Sequence, residues 1–507
     1  MAIISTLISE TSLSSLLYKA FVFLTTYYVI HLLSQFLKPK DPKAVPLVPS
    51  WIPFFGNAIE FGKNPIEFLQ TCQKKYGDVF TFRLLNKRIT ACLGPDGNQF
   101  VFNAKQEVAS AAAAYNHMTK YVFGNDIVFD TAHSIFMEQK RMIKGGLNIE
   151  TFRKDVPLII EECDAFFDQL EPQGEMDLYK MFGTLIIYTA SRTLLGPEIR
   201  QALDSGVSEL YYDLDQGFRP INFMFPNLPL PSYRRRDEAR EKLARIYADI
   251  IQKRRQSGRS ESDLLQTLIE ARYKDGSAVP DAQICGILTA ALFGGQHTSS
   301  TTASWALLEL AQRPDILQAL RQEMITQCGS LEVDFTYDHL ERLTLLEHVV
   351  KETLRLHPPI FNMMRRVVAP TCVFSGREIP QGDYLLAAPG VTQLDPHYFH
   401  QPTVWDPYRW SQLKDPVHQL EQGEDANADY GFGVVGISSK SPFLPFGAGR
   451  HRCIGEKFGY LQLKTIIGTF VKRFDVEPLT HTVPKPDYTS MVVIPENSHI
   501  RYRARKQ

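Results

Sequence analysis

Phe446-Gly447-Ala448-Gly449-Arg450-His451-Arg452-Cys453-Ile454-Gly455 sets one cysteine in a glycine-rich loop, directly behind three basic side chains and two residues ahead of a glycine. A thiolate so placed can ligate haem iron axially, pushing electron density toward the metal and favouring O–O cleavage. The glycines would let the backbone approach a flat macrocycle closely. Arg450, His451 and Arg452 bring positive charge to the sulfur and to the haem carboxylates, and that charge is expected to depress the thiol pKa. The competing reading is a buried cysteine acting as a small apolar group, the commoner fate of a free cysteine. Phe446, Gly449, His451 and Gly455 around Cys453 weigh against it.

With those residues in place, the loop resembles the haem-binding loop of the cytochrome P-450 superfamily. The resemblance implies haem b with Cys453 as its axial ligand, and a single-domain, mainly α fold with small β-sheets. Glu352 and Arg355 lie three apart on one helix face, and Arg409 in Trp405-Asp406-Pro407-Tyr408-Arg409-Trp410 can join them. An isolated E-x-x-R says little. In this order before Cys453 it matches the superfamily's buried Glu–Arg–Arg cluster, whose role is structural, since buried charges are tolerable only when they satisfy one another.

Bulk properties agree without naming anything. The 507 residues carry no dividing linker after residue 55, and 44% hydrophobic content allows one large core. Lys+Arg total 55 against 56 for Asp+Glu, so nothing points to nucleic acid or another polyanion. Seven scattered cysteines without metal-site spacing fit a reducing compartment.

The stretch from Leu13 to Leu37 is apolar enough to predict a tilted transmembrane helix, followed by Lys38, Lys40 and Lys43. The positive-inside rule puts the chain's bulk in the cytosol. A cleaved signal peptide would want a basic start and a small-residue cleavage site, which are not convincing here. Pro39, Pro42, Pro46, Pro49 and Pro53 then predict a stiff, extended hinge. The expected organisation is an anchor over 1–37, a hinge over 38–55 and a catalytic domain over 56–507. Microsomal members of the superfamily look like this, which implies the endoplasmic reticulum membrane and contact with lipid.

Downstream, alternation predicts a hairpin from Val79–Leu84 and Ile89–Leu93 after a helix Pro65–Tyr76. Helical periodicity marks Val156–Leu170, Ser232–Ser257, Asp281–Gln312, Asp315–Gly329 and Leu343–Leu356. Arg234-Arg235-Arg236 reads as a solvated face, membrane headgroups being the alternative. Asp281–Gln312 is long and apolar, yet its middle reads Phe293-Gly294-Gly295-Gln296-His297-Thr298-Ser299-Ser300-Thr301-Thr302. Paired glycines and clustered hydroxyls weaken a helix, so it is expected to open there into a groove. The segment resembles the superfamily's oxygen-binding helix, with histidine in place of the usual acid before Thr298; histidine can still relay protons near neutral pH.

Several stretches resemble the sterol 14α-demethylases, particularly the fungal ones: Tyr115-Asn116-His117-Met118-Thr119, Asp213–Phe223, Gly295–Ser299, Ser441–Gly455 and Asp487–Val493. That resemblance implies a gated proton path through Asp215 and His297 to Thr298. It gives Tyr115, Lys140, Arg365 and His451 to the haem propionates, and Met118, Phe123, Phe218, Phe223, Ile360, Phe361 and Met491 to the sterol cavity. It implies removal of a 14α-methyl group from lanosterol or eburicol, with electrons from NADPH through NADPH–cytochrome P-450 reductase. Departures stand at Lys120-Tyr121, where Thr-Pro is usual, at Phe129, where the family has tyrosine, and at Phe361-Asn362, where the fungal members have His-Ser. They leave open an azole-tolerant paralogue, an oxidase of another triterpenoid or secondary metabolite, or a weakly active sterol- or azole-binding paralogue. The missing hydroxyl at Phe129 is expected to loosen the loop from Tyr115 to Asp130.

Overall fold

The computed structural model describes residues 10–36, 41–203, 208–258, 260–412 and 438–505. The expected helices form, Pro65–Tyr76 and Asp281–Gln312 as read and Pro231–Ser257, Pro314–Cys328 and Thr344–Leu356 within a residue at each end, while the helix expected over Val156–Leu170 starts well earlier, as Ile149–Phe167. The strands are β1 (Val79–Leu84), β2 (Lys87–Cys92), β3 (Ala109–Ser110), β4 (Gln173–Asp177), β5 (Met363–Val367), β6 (Thr371–Phe374), β7 (Arg377–Pro380), β8 (Tyr384–Ala387), β9 (Phe474–Pro478), β10 (Pro486–Asp487), β11 (Ile494–Pro495) and β12 (His499–Ala504). β1 and β2 form the expected hairpin, Val79 facing Cys92 and Leu84 facing Lys87. They open a five-stranded sheet ordered β1-β2-β8-β5-β3, in which β8 runs parallel to β2. Three smaller sheets, β4-β12-β9, β10-β11 and β6-β7, complete the mainly helical architecture.

Asp281–Gln312 runs through the centre, against Leu178–Ala190, Pro231–Ser257, Thr344–Leu356 and Glu456–Arg473. Every residue from Ser299 to Ala311 is buried, as expected of a helix without a polar face. The helix does not open at its weak centre. Thr298, Ser300, Thr302 and Ser304 each donate to the carbonyl four residues back, at 2.5–2.8 Å. The hydroxyls therefore bond within turns that stay closed. Room beside the helix comes instead from Gly294 and Gly295, where an added Cβ would meet nothing within 4 Å.

The first helix, Glu10–Phe36, leaves Leu16, Phe21, Phe23 and Ile30 exposed. Thr25, Thr26, Tyr27 and Tyr28 dilute its middle, and among the described residues no helix is long and apolar enough to cross a membrane. The predicted transmembrane span is not found as such. The helix is tied to the hinge through Gln35, whose side chain donates to the Ser50 carbonyl at 3.0 Å and accepts from its N–H at 2.8 Å. Residues 1–9 and 37–40, with Lys38 and Lys40, lie outside the described residues.

Only part of the Arg234-Arg235-Arg236 run is solvated. Arg236 is buried, its guanidinium 5.0 Å from the Tyr121 ring and 4.9 Å from that of Tyr233, with Nη1 donating to the Pro226 carbonyl. A Cβ on Gly217 would lie 2.6 Å from the Arg236 Cδ. Arg236 thus joins Pro231–Ser257 to Ala111–Phe123, and the unusual Tyr121 is part of the joint.

Asp155 is buried on Ile149–Phe167, and its Oδ2 has no hydrogen-bond partner among the described residues. Burial, and then the charge of Asp263, push its carboxyl up from 3.8 to about 8. A carboxyl raised in the folded state costs stability as pH climbs between those two values, at about 1.4 kcal/mol per pH unit. Asp155→Asn should therefore raise the urea midpoint at pH 8 and leave it nearly unchanged at pH 4. An equal gain at both pH values would contradict this account.

Candidate active site

The Cys453 N–H donates to the Phe446 carbonyl at 3.0 Å, closing the loop. Gly449 has φ +63°, and a Cβ there would lie 2.6 Å from the Phe102 carbonyl oxygen. Its missing side chain makes room for the helix Gly94–Asn103, not for a macrocycle. Cys453 keeps accessible surface although it lies deep in the fold. Burial, then the charge of Glu456, push its thiol up; the Gly455 N–H, Lys140 and Arg452 pull the other way without prevailing. The basic loop does not depress the free thiol, because desolvation outweighs it.

Lys140, on His133–Gly146, donates to the Arg450 and Arg452 carbonyls at 3.0 and 2.9 Å. Burial lowers its amine to about 8, against the opposing charge of Cys453. The Tyr115 hydroxyl, at 2.8 Å, accepts from the Met364 N–H on β5, and burial pushes this phenol up. Arg365, on the same strand, spends Nη1 on the Met364 carbonyl, while its buried Nη2 has no hydrogen-bond partner among the described residues. The same is true of His451 Nδ1. Burial, followed by Arg365, Lys140, His133 and Arg450, holds His451 well below its ordinary pKa. Two unpaired buried nitrogens among like charges suit a dianionic ligand, so these residues fit a haem with its two carboxylates.

Rings surround His451: Phe136 stacks at 5.1 Å, and Phe129 stands 5.8 Å from it and 5.4 Å from Tyr115. Phe129 is therefore packed by aromatic contacts, and the absent hydroxyl does not leave its ring free. Neither Phe136 nor His133 was singled out from sequence, since both occupy an ordinary amphipathic helix.

His297 and Asp215 do come together, Nε2 lying 3.3 Å from Oδ1 without hydrogen-bond alignment. The imidazole Nδ1 is 3.3 Å from the hydroxyl of Tyr179, which the sequence gave no reason to choose. Burial lowers the His297 pKa and Asp215 opposes it. Thr298 Oγ1 rests on the Gly294 carbonyl at 2.8 Å.

The family model for cytochrome P-450 matches residues 46–501. The chain belongs to that family. It is 62% identical to a lanosterol 14-alpha demethylase of Cunninghamella elegans, covering 94% of each chain. It is 44% identical to the lanosterol 14-alpha demethylase erg11 of Schizosaccharomyces pombe over 92% of this chain and 94% of that one. An eburicol 14-alpha-demethylase of Uncinula necator is 42% identical over 92% of this chain and 91% of its own. The fold matches that of the retinoic acid bound cyanobacterial CYP120A1, with TM-score 0.76, 22% identity and coverage of 92% and 100%. Within the cytochromes P-450 the chain belongs with the fungal sterol 14α-demethylases.

The remaining cytochrome P-450 residues fall as follows. Met118, Phe218, Phe223, Phe361 and Met491 share one apolar cluster beside the five-stranded sheet. Phe123 stands 5.3 Å from Phe218, and both pack on Phe293, one turn before His297. Ile360 is 41% exposed and outside that cluster. Glu352 accepts from Arg355 at 2.7 and 2.9 Å, from Arg409 at 3.1 Å and from the Trp410 indole at 3.1 Å. The spare guanidinium nitrogens donate to the carbonyls of Gln393, Pro402, Val404, His400 and Gln401.

Proposed function

We propose that this cytochrome P-450 monooxygenase of sterol biosynthesis removes the 14α-methyl group of lanosterol or eburicol. The observation that carries this reading is the 62% identity to a lanosterol 14-alpha demethylase along nearly the whole chain. Cys453 would hold a haem through its thiolate, and that group would supply the oxygen activation needed to oxidise the methyl carbon until it leaves as formate. Tyr115, Lys140, Arg365 and His451 hold the carboxylates of the group. Met118, Phe123, Phe218, Phe223, Phe361 and Met491 orient an apolar tetracycle and exclude water, with Ile360 at the margin. Asp215 takes protons from solvent and His297 passes them toward Thr298. NADPH–cytochrome P-450 reductase supplies the electrons. The exposed apolar helix Glu10–Phe36 attaches the protein to the endoplasmic reticulum membrane, ahead of a hinge to residue 55 and a cytosolic catalytic domain.

Formate release from lanosterol or eburicol by the reconstituted protein tests the reading; sterol binding without formate would refute it. Thr298→Ala should lower sterol turnover on the order of 100-fold and divert electrons to peroxide, with haem content and sterol affinity nearly intact. Full coupling in that variant would move the proton function to another hydroxyl.

A further inference from the structure

We infer that Tyr179 is a positioning residue for His297, helping to fix which imidazole nitrogen carries the proton; this rests on His297 serving as the proton relay. Tyr179 opens the helix Leu178–Ala190, whose N-terminus is held by Asp177, which accepts from the Lys180 N–H. This helix packs along Asp281–Gln312, so the phenol meets the imidazole across a contact between two rigid elements. The charged and titratable groups facing His297 are Tyr179 at Nδ1 and Asp215 at Nε2, both at 3.3 Å, while Arg235 from Pro231–Ser257 is paired with Asp213. Phe293 closes one further side, its ring 5.0 Å away.

The phenol stays protonated, because burial and then Asp215 push its pKa far up. The Asp215 carboxylate, 3.3 Å from Nε2, favours the tautomer protonated there, and the phenol then donates to the bare Nδ1. The proton on Nε2 then lies beside the Asp215 carboxylate, though not aligned for a hydrogen bond. The opposite tautomer would set a bare Nε2 lone pair against a carboxylate and turn the phenol from donor to acceptor at Nδ1. The hydroxyl at Nδ1 thus reinforces, with Asp215 at Nε2, the form that carries its proton beside the carboxylate.

The test uses the haem-loaded enzyme and the Tyr179→Phe variant. Sterol turnover at pH 8 should fall on the order of tenfold, the worth of one hydrogen bond, with KM for sterol and haem content unchanged. The deficit should shrink only as pH falls below the lowered pKa of His297, where a protonated imidazole carries hydrogen on both nitrogens regardless of tautomer. In a His297→Gln background, Tyr179→Phe should cost nothing further. Independently of turnover, carbethoxylation of His297 by diethyl pyrocarbonate, followed by mass spectrometry, should quicken severalfold once the hydroxyl is removed. A deficit that is flat across pH, or that persists in the His297→Gln background, overturns the inference and makes Tyr179 a packing residue. If His297→Gln alone leaves turnover and peroxide release unchanged, the relay reading itself fails.

Discussion

Cys453→Ser should abolish the thiolate-type Soret band of the ferrous–CO complex and all sterol turnover. Serine keeps the size of the side chain and the N–H bond to the Phe446 carbonyl, so the loop should survive. What is lost is the soft anionic ligand that the iron requires for O–O cleavage. An alkoxide is a poor substitute, because a hydroxyl gives up its proton far less readily than a thiol. Tyr115, Lys140, Arg365 and His451 remain to hold the carboxylates, so some haem should still bind, with an altered spectrum. Retention of the thiolate-type band by the variant would mean that another residue ligates iron, and the central assignment would be wrong.

Glu352→Gln should be nearly as damaging, through the fold and not the chemistry. Glu352, Arg355 and Arg409 are buried together, with Glu352 and Arg355 wholly inaccessible. Their three charges sum to one net positive, and the surplus is spread over five backbone carbonyls. Removing the carboxylate charge leaves two guanidinium groups sharing a neutral amide. Breaking a buried pair in this way costs about 3–5 kcal/mol, against a total stability of roughly 5–15 kcal/mol for a typical domain. The haem-loaded protein should accumulate poorly, and its urea midpoint should drop sharply. An unchanged midpoint would show that the cluster is dispensable for stability.

The parts of this architecture that were legible in the chain share one property: their signals are local. The hairpin of β1 and β2 shows as alternation, the long helices show as periodicity, and the Cys453 loop is contiguous. Glu352 and Arg355 sit one turn apart, so only Arg409 had to be brought from a distance. Tyr179 is 118 residues from His297, in a helix whose apolar pattern explains it without reference to any site. Arg236 looked solvated because it sits within a basic run; its burial depends on Tyr121 and Gly217, which arrive from two other segments. Of the three loop cations expected beside Cys453, Arg452 acts on the thiol, joined by Lys140 from another helix, but desolvation is a property of the whole fold and no loop sequence displays it. The opened helix failed for a related reason. Propensity counts glycines and hydroxyls as defects, whereas here Thr298, Ser300, Thr302 and Ser304 each found a carbonyl of their own helix and Thr301 found that of Val493.

In the proposed relay, that helix also bears on the speed of proton delivery. Thr298 holds its hydroxyl hydrogen on the Gly294 carbonyl, and Gly294 and Gly295 leave open space alongside. Redirecting that hydrogen needs one side-chain rotation and the loss of one bond worth about 1 kcal/mol, with every backbone bond of the helix left in place. Rotamer changes of this kind take picoseconds to nanoseconds, whereas collective helix motions take microseconds to milliseconds. An opened helix would have tied each delivered proton to the slower process. In the proposed relay, an intact one would leave the donor's resetting to the faster motion.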